Sequence, residues 1–255
     1  MSLCILTNTS ALFPPISTNS GRFLRAMTLE TNGHGIILPG VEDFNRTYNE
    51  LEREFNAILV LTAAETILPL TATAHAAAQS HGGRAKIEVL DTKQIGPGLG
   101  ILTQLAARKA AMGASLQEVS EYMRAVIPYL FTIFCPDHFP AYDQQTYDRT
   151  SEQTSAQAVF SLEEGLLVPY KKVRTQRHML EILQEFLGEF EKPQHLAYFH
   201  GKNVSLHARP LREAASGLFP GIHFNDLDLN STLTMLFGEH TVGLIVLEMP
   251  GDLGV

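Results

Sequence analysis

Apolar residues follow two rhythms along the first half of the chain. Uninterrupted apolar runs at 3–7 and 57–64 are typical of strands that are covered on both faces. Between them, residues 43–55 place an apolar side chain every three or four positions, which is the spacing of one helix face. Further strands are predicted at 86–91 and 129–134, and further helices at about 70–81, after 96–100 and from 115 onward. This order predicts a parallel sheet flanked by helices.

The second half begins after a polar, proline-containing stretch without periodicity, 135–157, which is predicted to connect two domains. Residues 158–173 have the pattern of a β-hairpin that turns at Glu164-Gly165. The predicted elements that follow are a helix at about 175–190, a strand at 194–200, a helix at about 204–217 and strands at 222–227 and 241–249. The fold expected is therefore two α/β domains. They are 1–150, with the parallel sheet, and a smaller 151–255, with the hairpin.

Composition and net charge exclude several classes of protein. The 255 residues are 45% apolar and 18% charged, which is an ordinary globular composition, and the net charge of −8 leaves no overall basic surface for nucleic acid. No segment approaches the roughly 18 apolar residues of a membrane span, and the N-terminus lacks the basic start of a signal peptide. Cys4 and Cys135 are far apart and are expected to be reduced thiols. We expect a cytoplasmic protein.

The segment "GPGLG" (96–100), between a predicted strand and a predicted helix, has the layout of a nucleotide-binding loop. A dinucleotide fingerprint requires G-x-G-x-x-G, and Ile101 stands where the third glycine belongs. The acidic ribose partner expected about 20 residues later is also missing. The alternative is a tight turn that needs positive φ or close backbone packing.

Hydroxyl groups cluster in "LTAAETILPLT" (61–71), directly after an apolar strand. Thr62, Thr66 and Thr71 stand there with Glu65. In an open α/β sheet, ligands bind outside the carboxyl ends of the strands, so these threonines are candidates for donating to an anion. They are equally candidates for capping the following helix.

Four cationic residues and a histidine lie within "YKKVRTQRH" (170–178), at the start of a predicted helix. The helix macrodipole disfavours positive charge at that end, so cations there indicate a nearby anion such as a ligand carboxylate. The alternative is a solvated charged face, which is favoured for Lys171, Lys172 and Arg177. Arg174 is singled out as the anion-binding candidate.

The chain has no recognised catalytic or metal-binding pattern. Its ten histidines form no H-E-x-x-H or other metal spacing, and there is no G-x-S-x-G nucleophile elbow. Cys135-Pro-Asp-His138 combines a thiol with a base, but residues this close in sequence rarely face each other productively. We expect no catalytic residues, no metal and no cofactor.

In chain order, these segments resemble the DegV family of bacterial fatty-acid-binding proteins. The hairpin "LEEGLLVPYKKVRT" (162–175) is similar to the family's D-G-K-L-V-P and K-V-R-T, and "EVLDTKQIGPGLG" (88–100) is similar to V-I-D-S-K with M-G-L-G. The weaker similarities are "ILTNTSALFP" (5–14), "LPGVEDF" (38–44), "TAAETILPLTATA" (62–74) and "HTVGLIVLE" (240–248).

The resemblance implies a two-domain α/β protein that holds a long-chain fatty acid between its domains, with the tail in an apolar tunnel. It implies a protein that binds rather than catalyses, and that presents the acyl carboxylate to a separate ATP-dependent fatty-acid kinase subunit. The glycine-rich turn lies beside the lipid in such proteins, so Gly98 is an expected tunnel-wall position.

The family's carboxylate-binding residues carry over in part. The first serine of its serine-rich loop falls on Thr66, and the arginine of V-R-T is Arg174. The threonine of its T-S-Q-P-S segment falls on Ile36, and its C-terminal histidine falls on Leu236, so both donors are lost. His240, four residues later, is the substitute candidate. A buried carboxylate without enough donors costs several kcal/mol or stays protonated.

The sequence leaves three candidate functions open. The first is a non-catalytic protein that binds a fatty acid and presents or sequesters it. The second is a small α/β nucleotide-dependent enzyme that uses 96–100. The third is a degenerate family member without a lipid, which the losses at Ile36 and Leu236 keep open.

Overall fold

The computed structural model describes residues 2–15, 19–31, 35–138 and 157–253. The chain divides into two compact units, which meet in sequence between Pro128 and Tyr129. Each unit has its own sheet and its own helices. None of the helices in these ranges is long and apolar enough to cross a membrane.

The first unit is built on a four-stranded parallel sheet. The strands of the whole unit, including two outside this sheet, are β1 (Leu3–Asn8), β2 (Leu24–Met27), β3 (Glu30–Thr31), β4 (Ile36–Ile37), β5 (Ala57–Thr62) and β6 (Lys86–Asp91). Its helices are α1 (Val41–Leu51), α2 (Thr71–Ser80), α3 (Pro97–Ala111) and α4 (Leu116–Val126). The sheet order is β2, β1, β5, β6 with every pairing parallel, while β3 and β4 form a separate antiparallel pair. The predicted parallel sheet flanked by helices is confirmed.

Burial explains which strands the sequence reveals. Every residue of β1 and β5, the two central strands, is buried, so both appear in the sequence as continuous apolar runs. The edge strand β2 is short and at most partly buried, so it has no such signal and was not predicted. On α1, the buried side chains are Phe44, Tyr48 and Leu51, as the helical spacing predicted.

The second unit is a six-stranded, mostly antiparallel sheet with helices. Its strands are β7 (Leu130–Cys135), β8 (Gln157–Glu163), β9 (Leu166–Val173), β10 (His195–His200), β11 (Phe224–Asp228) and β12 (Val242–Leu247). Its helices are α5 (Gln176–Leu187), α6 (Arg209–Leu218) and α7 (Ser231–Phe237). The sheet order is β11, β10, β12, β7, β8, β9, and only β10 and β11 pair in parallel.

Strand β7 corrects the boundary expected at residue 150. It pairs antiparallel with β12, with Leu130 opposite Leu247 and Cys135 opposite Val242, and therefore belongs to the second sheet. An apolar run predicts a buried strand but carries no information about its partner, so the prediction placed 129–134 in the first sheet. Most of the predicted connection, 139–156, lies outside the described residues.

The helix α5 supplies much of the second unit's core. Met179, Leu183 and Phe186 are buried on one face, as their spacing predicted, and Phe190 packs against them from just beyond the helix. The short helix α7 was missed by the sequence analysis. Its seven residues are too few for a periodic signal, although Asn230 caps it by accepting a hydrogen bond from the Leu233 N–H at 3.0 Å.

The turn at 96–100 rests against the loop that follows β1. Gly96 has a left-handed φ of 59°, its carbonyl accepts from the Leu12 N–H at 2.9 Å, and its N–H donates to the Ser10 carbonyl at 3.0 Å. A Cβ on Gly100 would lie only 2.0 Å from the Leu12 carbonyl oxygen. Glycine is therefore required at 96 by conformation and at 100 by the close approach of another backbone segment.

The hairpin between β8 and β9 turns at the predicted residues. Glu164 and Gly165 both have positive φ, 50° and 82°, which is the pattern of a type I′ turn. Glycine adopts this conformation without cost, whereas glutamate does not.

Replacing Glu164 with asparagine should stabilise the protein, because Asn-Gly is the preferred type I′ pair. We expect the free energy of unfolding to rise by up to about 1 kcal/mol, the order of the left-handed penalty for an ordinary residue. Urea denaturation followed by circular dichroism measures the change. Gly165→Ala is the matched opposite and should lower stability, and a Glu164→Asn variant less stable than the wild type would contradict the turn assignment.

Gly100→Ala should destabilise the protein by about 1–3 kcal/mol, the usual cost of overpacking. The matched control is Gly217→Ala in α6, where an added Cβ meets nothing within 4 Å. That helical replacement should be neutral or stabilising by about 0.5–1 kcal/mol. Comparable unfolding midpoints for the two variants would show that the Leu12 contact is not a constraint.

Candidate functional site

A cavity of about 440 Å³ opens in the second unit where β9 leads into α5. Its apolar wall includes Val173, Met179 and Val242. Its polar lining consists of Gln157, Arg174, Thr175, Gln176, Asn203, Ser205 and His240. Two of the residues singled out in the sequence, Arg174 and His240, therefore line one cavity although they are 66 positions apart.

Arg174 is positioned by the junction between β9 and α5. The next residue, Thr175, is the N-cap of α5 and accepts a hydrogen bond from the His178 N–H at 3.1 Å. The first turn of α5 contains no acidic residue. Arg174 is exposed, and no ion pair joins it to any residue that the structure describes. The guanidinium and the helix N-terminus together favour an anion in this cavity.

His240 is held by Asp137, whose Oδ2 lies 2.9 Å from the imidazole Nδ1. The preceding turn requires glycine, because Gly238 has a φ of 90° and a Cβ there would lie 2.4 Å from the Asp137 Cβ. Gly201 approaches the same loop, and a Cβ on it would lie 2.1 Å from the Glu239 carbonyl oxygen. With Nδ1 engaged by the carboxylate, Nε2 is the ring nitrogen left for other contacts.

Polar groups from a third segment complete the lining, and sequence reasoning missed them. Asn203 donates through Nδ2 to the Glu239 carboxylate at 2.5 Å, and the Gln176 amide donates to the Ser205 hydroxyl. The segment follows the carboxyl end of β10 and precedes α6, which is where polar side chains commonly meet ligands. Its position after a predicted strand is the sequence signal that could have identified these polar residues.

The threonine cluster of the first unit is largely engaged within the protein. Thr62 is 1% exposed, and its hydroxyl lies 2.8 Å from that of Thr71 and donates to the Leu90 carbonyl at 3.3 Å. This hydroxyl therefore ties β5 to α2 and β6. Thr66 is exposed in the turn after β5.

Helix α2 is capped by Glu65 rather than by a threonine. Its N-cap residue, Leu70, offers no side-chain acceptor. The Glu65 carboxylate instead accepts from the Thr71 N–H at 2.6 Å and from the Ala72 N–H at 3.4 Å. The predicted capping of this helix by threonines is therefore wrong, because the capping group is the Glu65 carboxylate.

The remaining predicted positions contribute no polar side chain. Ile36 is partly buried in β4, and Leu236 is 4% exposed in α7. Gly98 is buried in the first turn of α3, and its N–H donates to the Ile95 carbonyl at 3.2 Å. The Gly100 N–H likewise donates within the turn, so neither amide is available to a phosphate.

The two cysteines are free and buried. Burial raises the pKa of the Cys4 thiol and of the Cys135 thiol to about 12, so the thiolate is scarce at neutral pH. His138, the base considered with Cys135 in the sequence, has its Nε2 3.1 Å from the Met235 carbonyl oxygen, and Asp137 faces His240. Across the described ranges, no group of three histidine, cysteine or acidic side chains has the arrangement of a metal site.

Residues 12–140, half of the chain, match the sequence profile of a family described as uncharacterised proteins, the DegV family. No curated protein sequence matches the chain.

Solved structures share its fold over nearly its full length. A hypothetical protein from Thermotoga maritima, described as revealing a fatty acid binding function, has a TM-score of 0.77 at 19% identity and covers 98% of this chain and 100% of its own. A DegV family protein from Thermus thermophilus, described by its fatty acid binding, gives 0.80 at 19% identity over 98% and 100%. The fatty acid kinase B3 protein of Streptococcus pneumoniae, loaded with linoleic acid, gives 0.80 at 13% identity over 97% and 99%. At these identities the likeness establishes the fold.

Proposed function

This chain belongs to the DegV family, and from that membership we propose that it binds a long-chain fatty acid whose carboxylate is held by Arg174. The observation that carries the proposal is the cavity that Arg174 and His240 line together. The fatty acids named for the structures from Thermotoga maritima, Thermus thermophilus and Streptococcus pneumoniae support the choice of ligand. That the acyl tail lies between the two domains stays a prediction from the resemblance.

The chemistry of the cavity suits a carboxylate. A guanidinium forms charge-assisted hydrogen bonds that are about twice as strong as neutral ones. The N-terminus of α5 adds a favourable dipole beside it, with no acidic residue in its first turn to cancel that field. His240, oriented by Asp137, is the second donor in the proposal and takes the place of the histidine lost at Leu236.

We further propose that the protein binds without catalysis and presents its acid to a kinase subunit. Support for this comes from the similarity in fold to a fatty acid kinase B3 protein. The raised pKa of the buried Cys135 thiol and the pairing of His240 with an acid rather than a nucleophile are consistent with a binding role. Two free thiols are compatible with a reducing compartment, so a cytoplasmic location is part of the proposal.

A second candidate is a family member that holds no lipid. The observation that favours it is the loss of donors, because Ile36 and Leu236 are apolar and the Thr62 hydroxyl is bonded within the protein. The hypothesis of a nucleotide-dependent enzyme has no support from this turn, since the backbone N–H groups of Gly98 and Gly100 donate inside it.

Freshly purified protein should carry a co-purified acyl chain, because a fatty acid in an apolar tunnel dissociates slowly. Native mass spectrometry of the protein and analysis of a solvent extract would identify it. A preparation that contains no acyl chain and, after delipidation, also fails to bind labelled oleate would favour the candidate without a lipid.

Arg174→Ala should weaken oleate binding by about 1.5–3 kcal/mol, the range for a hydrogen bond to a charged group. The matched control is Arg177→Ala, which removes an exposed arginine one helical turn away that pairs with Glu181 at 3.0 Å and does not line the cavity. Fluorescence titration with the delipidated variants measures both. Equal losses for the two variants would indicate a general charge effect and would contradict a specific contact.

A further inference from the structure

The contact between Asp137 and His240 determines which ring nitrogen carries the hydrogen. The Asp137 Oδ2 lies 2.9 Å from the imidazole Nδ1. An ionised carboxylate only accepts hydrogen bonds, so Nδ1 is the donor in this contact and carries the hydrogen. A neutral imidazole has a single N–H, and its Nε2 is therefore an acceptor. Nε2 of His240 becomes a donor only when the ring is protonated.

Asp137 is fixed against the loop that carries His240. The Asp137 N–H donates to the Phe237 carbonyl at 2.8 Å. Gly238 lies against the Asp137 side chain, where an added Cβ would collide with the Asp137 Cβ. The imidazole itself is 57% exposed, and within the described ranges no hydrogen bond or ion pair engages its Nε2. This nitrogen is thus open to a ligand in the cavity that His240 lines.

The charges around the cavity favour a protonated ring when an anion binds. Among the described residues that line the cavity, Arg174 is the one with a fixed positive charge. Two carboxylates accompany the imidazole. Asp137 contacts its Nδ1, and Glu239, the preceding residue, accepts from the Asn203 Nδ2. With a neutral ring, one positive and two negative formal charges surround the place where a ligand carboxylate would add a third negative charge.

We propose that Asp137 is a specificity-determining residue that makes ligand binding depend on one proton, shared between the His240 Nε2 and the ligand headgroup. The inference rests on the proposed fatty-acid-binding function. An ionised acid meets neutral His240 as one acceptor facing another, so the complex takes up a proton from solvent, which lies between Nε2 and a carboxylate oxygen. A headgroup with its own O–H donates to Nε2 and requires no proton from solvent.

The sign of the pH dependence follows from this arrangement. Above the pH range in which an ordinary imidazole is protonated, both the free ring and the free carboxylate lack the shared proton. Binding of the ionised acid then consumes a proton, so its affinity falls as the pH rises. Arg174 does not contribute to this dependence, because a guanidinium stays charged throughout.

Isothermal titration calorimetry measures the proton directly. Delipidated wild-type protein is titrated with dodecanoate at about pH 8.5 in buffers of different ionisation enthalpy, and the dependence of the observed enthalpy on the buffer gives the number of protons taken up. We expect uptake approaching about one proton per ligand, and an affinity that falls by about 5- to 10-fold per pH unit in this range. Dodecanol, which brings its own O–H, should bind without proton uptake.

Asp137→Asn tests the role of Asp137 itself. An asparagine amide can donate to Nδ1, which moves the hydrogen of the neutral ring to Nε2 and makes it a donor without protonation. This variant should bind dodecanoate with little proton uptake and a flat pH profile. His240→Gln should behave alike, because its amide donates without titrating. If Asp137 were merely structural, its replacement would weaken binding at every pH and leave the number of protons unchanged.

His138→Gln is the matched control. His138 is adjacent to Asp137 in the chain, its Nε2 lies 3.1 Å from the Met235 carbonyl oxygen, and it does not line the cavity. This variant should take up as many protons as the wild type. A loss of proton uptake equal to that of Asp137→Asn would mean that the effect is not specific to the pair, and it overturns the inference.

The outcomes separate the two proposals. Dodecanoate binding by the wild type without proton uptake overturns this inference and leaves the lipid-binding function in place, and so does undiminished uptake in Asp137→Asn. Failure of the wild type to bind dodecanoate overturns both. If Asp137→Asn does not fold, His240→Gln decides, and undiminished uptake in that variant overturns the inference.

Discussion

A helix that begins beside the end of a buried strand leaves backbone N–H groups that require an acceptor, and this requirement shapes both units. In the first unit, a distant carboxylate, Glu65, supplies the acceptor for α2. In the second, the Thr175 hydroxyl caps α5, and the cation Arg174 stands next to it. The same local need is thus met by a negative group in one unit and by a neutral group in the other. The start of α2 therefore carries a negative charge, whereas the start of α5 has a neutral cap and a neighbouring arginine.

Much of the fold follows from local patterns. The continuous apolar runs of β1 and β5 predict buried strands, and both are central in the sheet. Local patterns do not identify which strands pair with each other, because a buried strand has the same composition in a parallel and in an antiparallel sheet. For that reason β7 was assigned to the wrong sheet and the domain boundary was placed about twenty residues too late. The edge strand β2 and the short helix α7 have too few buried residues in period to be recognised.

The candidate site was predictable to a lesser degree. Arg174 is visible in the sequence because a cation before a helix opposes the macrodipole. His240 and Asn203 become part of the same cavity only through the fold, since Asn203 lies in the loop after β10 and His240 in the loop between α7 and β12. The role of Glu65 was not predictable, because a carboxylate six residues before Thr71 reaches its N–H only through the particular turn that residues 65–67 adopt. Sequence spacing identifies a cap within three residues and misses one that spans a loop.

The position of β7 also bears on how the chain can be divided. β7 is an interior strand of the second sheet, with β12 on one side and β8 on the other. A fragment that started at residue 151, where composition alone would cut, would lose this strand and leave β12 and β8 with unpaired backbone groups facing each other. Open strand edges of this kind recruit other chains, so such a fragment would be prone to self-association. A fragment that starts at Tyr129 retains all six strands and is the unit in which the Arg174 cavity can be studied separately.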